Sequence, residues 1–99
     1  MPKIEQNQAV IVILHSPREK VWGVLQEINA SGAFVRAIDL GAFDDYVAAL
    51  LRHEPFIGLC DQFFPLWRVE RIVRDEESGG IPSLAAQFEQ RIGKKITAV

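Results

Sequence analysis

The sequence predicts a small, mainly β domain with two helices, an α+β fold built on a strongly bent five-stranded barrel and spanning residues 1–99. Two observations lead to this fold class. The first forty residues contain three apolar, β-branched segments separated by turn residues, which is typical of an antiparallel meander. Later in the chain the hydrophobic spacing changes twice to the period of a helix, over 42–53 and 83–92.

Three strands are predicted in the first part of the chain, at 9–14, 21–29 and 33–40. The first is apolar on both faces, which is typical of a central strand or of one covered by a partner. The second contains Gly23, and a glycine inside a strand marks a sharp bend or a close approach of another backbone. The segment 29–32, Asn-Ala-Ser-Gly, has the composition of a hairpin turn.

The first helix is predicted between the third and fourth strands. Aspartates in its first turn and cations in its last turn suit the helix dipole, and Pro55 is expected to stop it. The second helix is C-terminal, with Ser83 as candidate N-cap and Gly93 just past its end. Five apolar residues recur at helical spacing in the first helix: Phe43, Tyr46, Val47, Leu50 and Leu51.

The last two strands are predicted at 62–65 and 69–74, with a tight turn at 66–68 between them. Residues 66–74 also fit a helix, because their apolar residues recur at helical spacing and Glu and Arg are good helix formers. A strand is favoured, since the meander otherwise lacks a closing strand. Residues 54–62 are expected to be irregular or a short edge strand, and 75–80 a solvated loop.

Two sets of residues resemble known motifs. The first set is Val21–Leu25, Asn29, 34–35 and Asp39, and the second is 63–73. They resemble the first and second motifs of the Sm-like (Hfq-like) family and together cover about half of the chain. This resemblance implies a bent, five-stranded Sm-like or SH3-like barrel, which forms a ring when the fourth strand of one subunit pairs with the fifth strand of the next.

In the Sm-like family, the turns after the second strand and between the last two strands hold RNA bases. The resemblance therefore marks Asn29, Trp67 and Arg68 as nucleic-acid-binding candidates. An indole can stack on a base, and a guanidinium can bind a phosphate. The chain departs from the family because its helices follow the third and fifth strands instead of preceding the barrel, and because the turn 29–32 lacks an aromatic ring and a cation.

Large apolar side chains near the fourth strand indicate an interface between copies of the chain. Counted with Phe56, these apolar side chains are more numerous than the core of one short region requires. A barrel this open also leaves strand edges unpaired. The candidates are Phe63, Phe64, Leu66 and Trp67. We expect a homo-oligomer that serves binding or assembly, with Trp67 in the core or in the interface. RNA is the alternative partner. It is not favoured, because Glu70 and the acidic run 75–77 would repel a polyanion.

The composition bears on the partners, the disulfides and the location of the chain. The 99 residues carry a formal charge of −2, which provides no overall attraction to nucleic acid or to an anionic membrane. The single cysteine, Cys60, excludes an internal disulfide framework. Neither a secretory signal nor a membrane span is predicted, so the expected location is the cytoplasm.

No enzyme, metal site or cofactor is predicted. His15, Ser16 and the pair 44–45 supply the residue types of a hydrolytic triad, but no nucleophile elbow or oxyanion-hole glycine run accompanies them. His53 and Cys60 could bind zinc, but they lack the paired spacing of a zinc site. The sequence therefore predicts a binding or assembly module.

Overall fold

One antiparallel sheet of five strands organises the chain. The structure is a computed structural model that describes residues 3–54 and 58–99. The strand order across the sheet is β4-β3-β2-β1-β5. Helix α1 follows β3 and helix α2 follows β5, so the predicted fold class is confirmed. The elements are β1 (Ala9–Leu14), β2 (Glu19–Ile28), β3 (Gly32–Asp39), α1 (Phe43–Leu51), β4 (Cys60–Pro65), β5 (Val69–Arg74) and α2 (Leu84–Ile92).

The sheet curls so that its two edges approach each other at one corner. β4 and β5 lie at opposite edges, four strand spacings or roughly 19 Å apart in a flat sheet. Only the 3-10 turn Leu66–Arg68, called the corner turn below, joins them. At about 2 Å per residue, the four steps from Pro65 to Val69 span roughly 8 Å. The Leu66 amide donates to the Ser31 carbonyl at 3.0 Å, and the His15 amide donates to the Arg68 carbonyl at 2.9 Å.

Two apolar clusters occupy the two faces of this sheet. Successive residues of a strand face opposite sides, so strands that are apolar at consecutive positions are covered on both faces. The inner cluster consists of Val10, Val12, Leu14, Val21, Leu25, Ala33, Val35 and Ala37. The outer cluster joins the other face to the helices and contains Trp22, Val24, Ile38, Phe43, Tyr46, Val47, Leu59, Phe88 and Ile96. Burial raises the pKa of the Tyr46 phenol, and nearby Arg36 opposes this shift.

Asp75 ties three parts of the fold together. The indole Nε1–H of fully buried Trp22, at the centre of the outer cluster, donates to Asp75 Oδ2 at 3.0 Å. The same carboxylate accepts the backbone amides of Leu84 and Ala85 at 2.8 and 2.7 Å. It therefore links the end of β5, the outer cluster and the N-terminus of α2, whose first amides have no partner inside the helix.

The elements lie close to their predicted positions, and the differences fall at their ends. β2 begins at Glu19 instead of 21, because pairing with Leu14 extends the ladder. β4 begins at Cys60 instead of 62, because Cys60 pairs with Ala37 on β3. β3 ends one residue before 40, where a 3-10 turn begins. The predicted stop of α1 at Pro55 lies outside the described residues.

Both helices are slightly shorter than predicted. α1 covers Phe43–Leu51 instead of 42–53, and His53 just beyond it has the left-handed φ of 56°. α2 begins at Leu84, because Ser83 is its N-cap and accepts the Ala86 amide at 3.0 Å, as predicted. Within the described residues, no helix combines the length and the apolar character that crossing a membrane requires.

Residues 69–74 form a strand and not a helix. β5 pairs antiparallel with β1 from Val10–Arg74 to Leu14–Val69, with a register shift between Ile13 and Leu14. The alternative of a helix over 66–74 is therefore wrong. Residues 66–68 form the predicted tight turn, and the hydrogen bonds of β5 to β1 override the helical spacing of its apolar residues.

Candidate functional site

The corner turn presents an exposed indole at the end of the sheet. Trp67 is 66% exposed, and Leu66 beside it is also exposed. The expectation that Trp67 belongs to the core is wrong for the single chain, because the turn lies outside both apolar clusters. An exposed indole is available to another copy of the chain or to a ligand. Exposed Trp is among the residue types most enriched at energetically important interface positions.

Arg68 fixes the base of this turn. Its Nη1 donates to the carbonyl oxygens of His15 and Pro17, at 2.9 Å each, and its Nη2 pairs with the Glu19 carboxylate. The side chain is only 16% exposed. The guanidinium therefore joins the corner turn to the loop between β1 and β2, and its charge is balanced inside the chain. The structure thus engages Arg68 within the chain, on the loop that borders the corner turn.

Asn29 shapes the neighbouring hairpin turn. Its Oδ1 accepts the Ser31 amide at 2.8 Å, and its Nδ2 donates to the Glu27 carboxylate at 2.6 Å. Asn29 and Gly32 also exchange two backbone hydrogen bonds, at 3.0 and 3.2 Å, which confirms the predicted turn. The hydrogen bond from Leu66 to Ser31 brings this hairpin against the corner turn. The structure thus brings Asn29 and Trp67 to one corner, where the Asn29 side chain is engaged within its own turn.

The strands on either side of the corner turn are open edges of the sheet. β4 pairs with β3 and β5 pairs with β1, and among the described residues no second strand borders either one. The outer side of each edge strand therefore presents backbone amides and carbonyls that an additional strand could pair with. Both edges also carry an exposed apolar side chain, Phe63 on β4 and Val73 on β5.

An aromatic pair extends the apolar surface from the β4 edge onto the sheet. The β3–β4 register places Phe34 opposite Phe63, and their ring centroids lie 4.8 Å apart with both rings exposed. The interface candidates Phe63, Leu66 and Trp67 are therefore at the surface. Phe64 faces the opposite side and packs against the inner cluster. Phe34 was not a candidate from the sequence, because it lies within an apolar strand where no local signal marks the exposed position.

The residues considered for chemistry are spread over the molecule. His15 Nδ1 lies 3.0 Å from the hydroxyl of its neighbour Ser16 on an exposed loop, whereas Asp44 on α1 pairs with Arg91 at 3.2 Å. In the described part of the chain, no three His, Cys, Asp or Glu side chains come together as metal ligands. Cys60 is exposed at the start of β4.

The comparisons with known proteins give no relative from which a function could be transferred. The chain matches no protein-family model, no curated protein and no solved structure. The features that bear on function are therefore those of the surface that this structure presents. That surface combines two open strand edges, the apolar side chains beside them and the exposed indole of the turn that joins them.

Proposed function

We propose that the chain is a non-enzymatic, cytoplasmic assembly module of Sm-like type that associates with copies of itself. The observation that carries this proposal is the position of β4 and β5 at the two open edges of one sheet. Pairing β4 of one copy with β5 of the next satisfies both edges, and repetition around an axis closes a ring. The three-residue turn between the last two strands supports the family resemblance behind this arrangement.

Exposed apolar side chains support the same proposal. Phe63, Val73, Leu66 and Trp67 lie on the two edge strands or on the turn between them. A chain that pairs its edges with those of other copies removes these side chains from water, and each buried large apolar side chain contributes about 1.5–3 kcal/mol. Isolated exposed apolar residues need no explanation, but their concentration along two open edges favours an interface.

A lysine in place of Phe63 is expected to lower the oligomeric mass, because it replaces an apolar side chain of the proposed interface with a charge that has no partner there. The matched control is Leu51→Lys, which introduces the same charge at an exposed leucine on α1. Light scattering coupled to size exclusion measures the mass, and thermal melting shows that both variants fold. An unchanged mass for Phe63→Lys, or an equal loss in both variants, contradicts the proposal.

Binding of single-stranded RNA is the second candidate function, and the exposed indole of Trp67 favours it. Bases stack on aromatic rings with little sequence preference. Assembly is preferred, because cations near the corner turn are paired within the chain. Arg68 pairs with Glu19, and Arg18 lies 3.4 Å from Glu70.

Under the RNA alternative, Trp67→Ala is expected to weaken binding to a single-stranded oligonucleotide by about 1–3 kcal/mol. The melting temperature should change little, because the indole is exposed. Leu66→Ala is the control, since it trims the same turn without removing an aromatic ring. Fluorescence titration at low salt measures the affinity. Absence of binding by the wild-type chain, or equal losses in the two variants, contradicts RNA binding through Trp67.

A further inference from the structure

We infer that one pair of opposite charges, Asp61 on β4 and Arg71 on β5 of the next copy, selects the head-to-tail pairing of these edges. The inference rests on the proposed function and specifies the partner as a second copy of this chain. Both side chains are accessible, Asp61 at 68% exposure and Arg71 at 62%.

Asp61 and Arg71 project from the same face of the sheet. Asp61 is opposite Arg36, which lies between Val35 and Ala37 of the inner cluster. Arg36 and Asp61 therefore face outward, and their side chains meet at 3.3 Å. On the other edge, Arg71 is opposite Ile13, whose neighbours along β1 belong to the inner cluster, so Arg71 also faces outward.

The two edges carry matching outward sequences. Two residues after each charge, on the same face, comes an exposed apolar side chain, Phe63 after Asp61 and Val73 after Arg71. In a parallel pairing of 61–63 with 71–73, Asp61 is opposite Arg71 and Phe63 is opposite Val73. In the antiparallel pairing of the same segments, Asp61 is diagonal to Arg71, about 7–8 Å away, which a long side chain can span.

Pairing of like edges brings like charges together. β4 carries one acidic and no basic residue, whereas β5 carries two arginines and one glutamate. Two copies of β4 paired about Asp61 would bring two Asp61 carboxylates close, and two copies of β5 paired about Arg71 would bring two Arg71 guanidinium groups close. Like charges across a strand pair destabilise it, and opposite charges stabilise it. The charges therefore favour β4 with β5, the pairing that can continue from copy to copy.

Both side chains have hydrogen-bonding capacity that their contacts within the chain do not use. Asp61 accepts from Arg36 and from Gln26 through one oxygen, Oδ1, at 3.3 and 3.2 Å. Among the residues that the structure describes, the ion-pair partner of Arg71 is Glu70, with Nε at 4.0 Å from the carboxylate. A carboxylate accepts up to about four hydrogen bonds, and a guanidinium donates up to five.

Charge reversal tests the pair. Asp61→Arg carries arginine on both edges and Arg71→Asp carries aspartate on both edges, so each variant alone is expected to lose the oligomer. Mixed in equal amounts, the two variants are expected to regain an oligomer in which they alternate. Light scattering of each variant and of the mixture measures this result. Asp45→Arg and Arg52→Asp, both exposed near α1, are controls expected to keep the wild-type mass.

The outcomes separate this inference from the proposed function. A monomeric wild-type chain contradicts both. If the wild-type chain is oligomeric and Asp61→Arg and Arg71→Asp keep its mass, only the charge pair is overturned. The charge pair is also overturned if each variant dissociates alone and the mixture of the two stays dissociated. Asp61→Asn and Arg71→Gln repeat the test if a reversal lowers the melting temperature. These neutral variants are expected to weaken association less than the charge reversals do. If both associate as strongly as the wild-type chain, the charge pair is overturned.

Discussion

Replacement of Gly23 by alanine is expected to destabilise the fold strongly, although it adds only one methyl group. A Cβ at this position would lie 2.0 Å from the Arg36 carbonyl oxygen and 2.6 Å from the Ala37 Cα, both in the backbone of β3. β2 has a strand on each side, so its ladder can yield only by breaking hydrogen bonds. We expect Gly23→Ala to cost about 3 kcal/mol or more, at the upper end of ordinary substitutions.

The control for Gly23 is the same change at Gly41, where an added Cβ meets its nearest atom, Asp39 Oδ2, at an ordinary 3.6 Å. Chemical unfolding of both variants measures the difference in the free energy of unfolding. Equal stability of Gly23→Ala and Gly41→Ala would show that β3 does not approach β2 as closely as described.

Truncation of Asp75 is expected to have the second large effect. Asp75→Ala removes the acceptor for the buried Trp22 indole and for the Leu84 and Ala85 amides. A hydrogen bond to a charged group contributes about 1.5–3 kcal/mol, and an unsatisfied buried donor costs about 1–3 kcal/mol. We therefore expect a loss of about 3 kcal/mol in the free energy of unfolding, together with a change in the fluorescence of Trp22.

Asp44→Ala is the matched control for Asp75, because it removes an aspartate whose partner, Arg91, lies 3.2 Å away on the surface. Exposed ion pairs contribute about 0–1 kcal/mol. Urea unfolding of the two variants compares the losses. A loss for Asp75→Ala no larger than that for Asp44→Ala contradicts the linking role of Asp75.

Most of the secondary structure could be predicted because its causes are local. β-branched runs and turn residues mark the meander, and the apolar period marks the helices. Over 66–74 the local spacing fits both a strand and a helix, and a strand is favoured only because the meander needs a closing strand, which pairing with β1 provides. The start of β4 at Cys60 likewise depends on Ala37, far away in the sequence.

The candidate site was only partly predictable, because the exposure and the hydrogen bonds of its side chains depend on residues far away in the sequence. Trp67 was singled out from the sequence, but its exposure depends on the curl of the sheet. Arg68 looks like a free cation in the sequence, and only the structure shows its contacts with residues about fifty positions earlier. Asp75 belongs to an acidic run that resembles a solvated loop, and no local pattern indicates its bond to Trp22, which lies 53 positions earlier.

The mass of the wild-type chain in solution tests self-assembly most directly. Light scattering over a dilution series, at low and at high salt, determines whether the open edges of β4 and β5 are paired between copies. We expect a defined multiple of the 11.1 kDa chain mass at the higher protein concentrations. A mass of 11.1 kDa at every concentration and salt would contradict self-assembly.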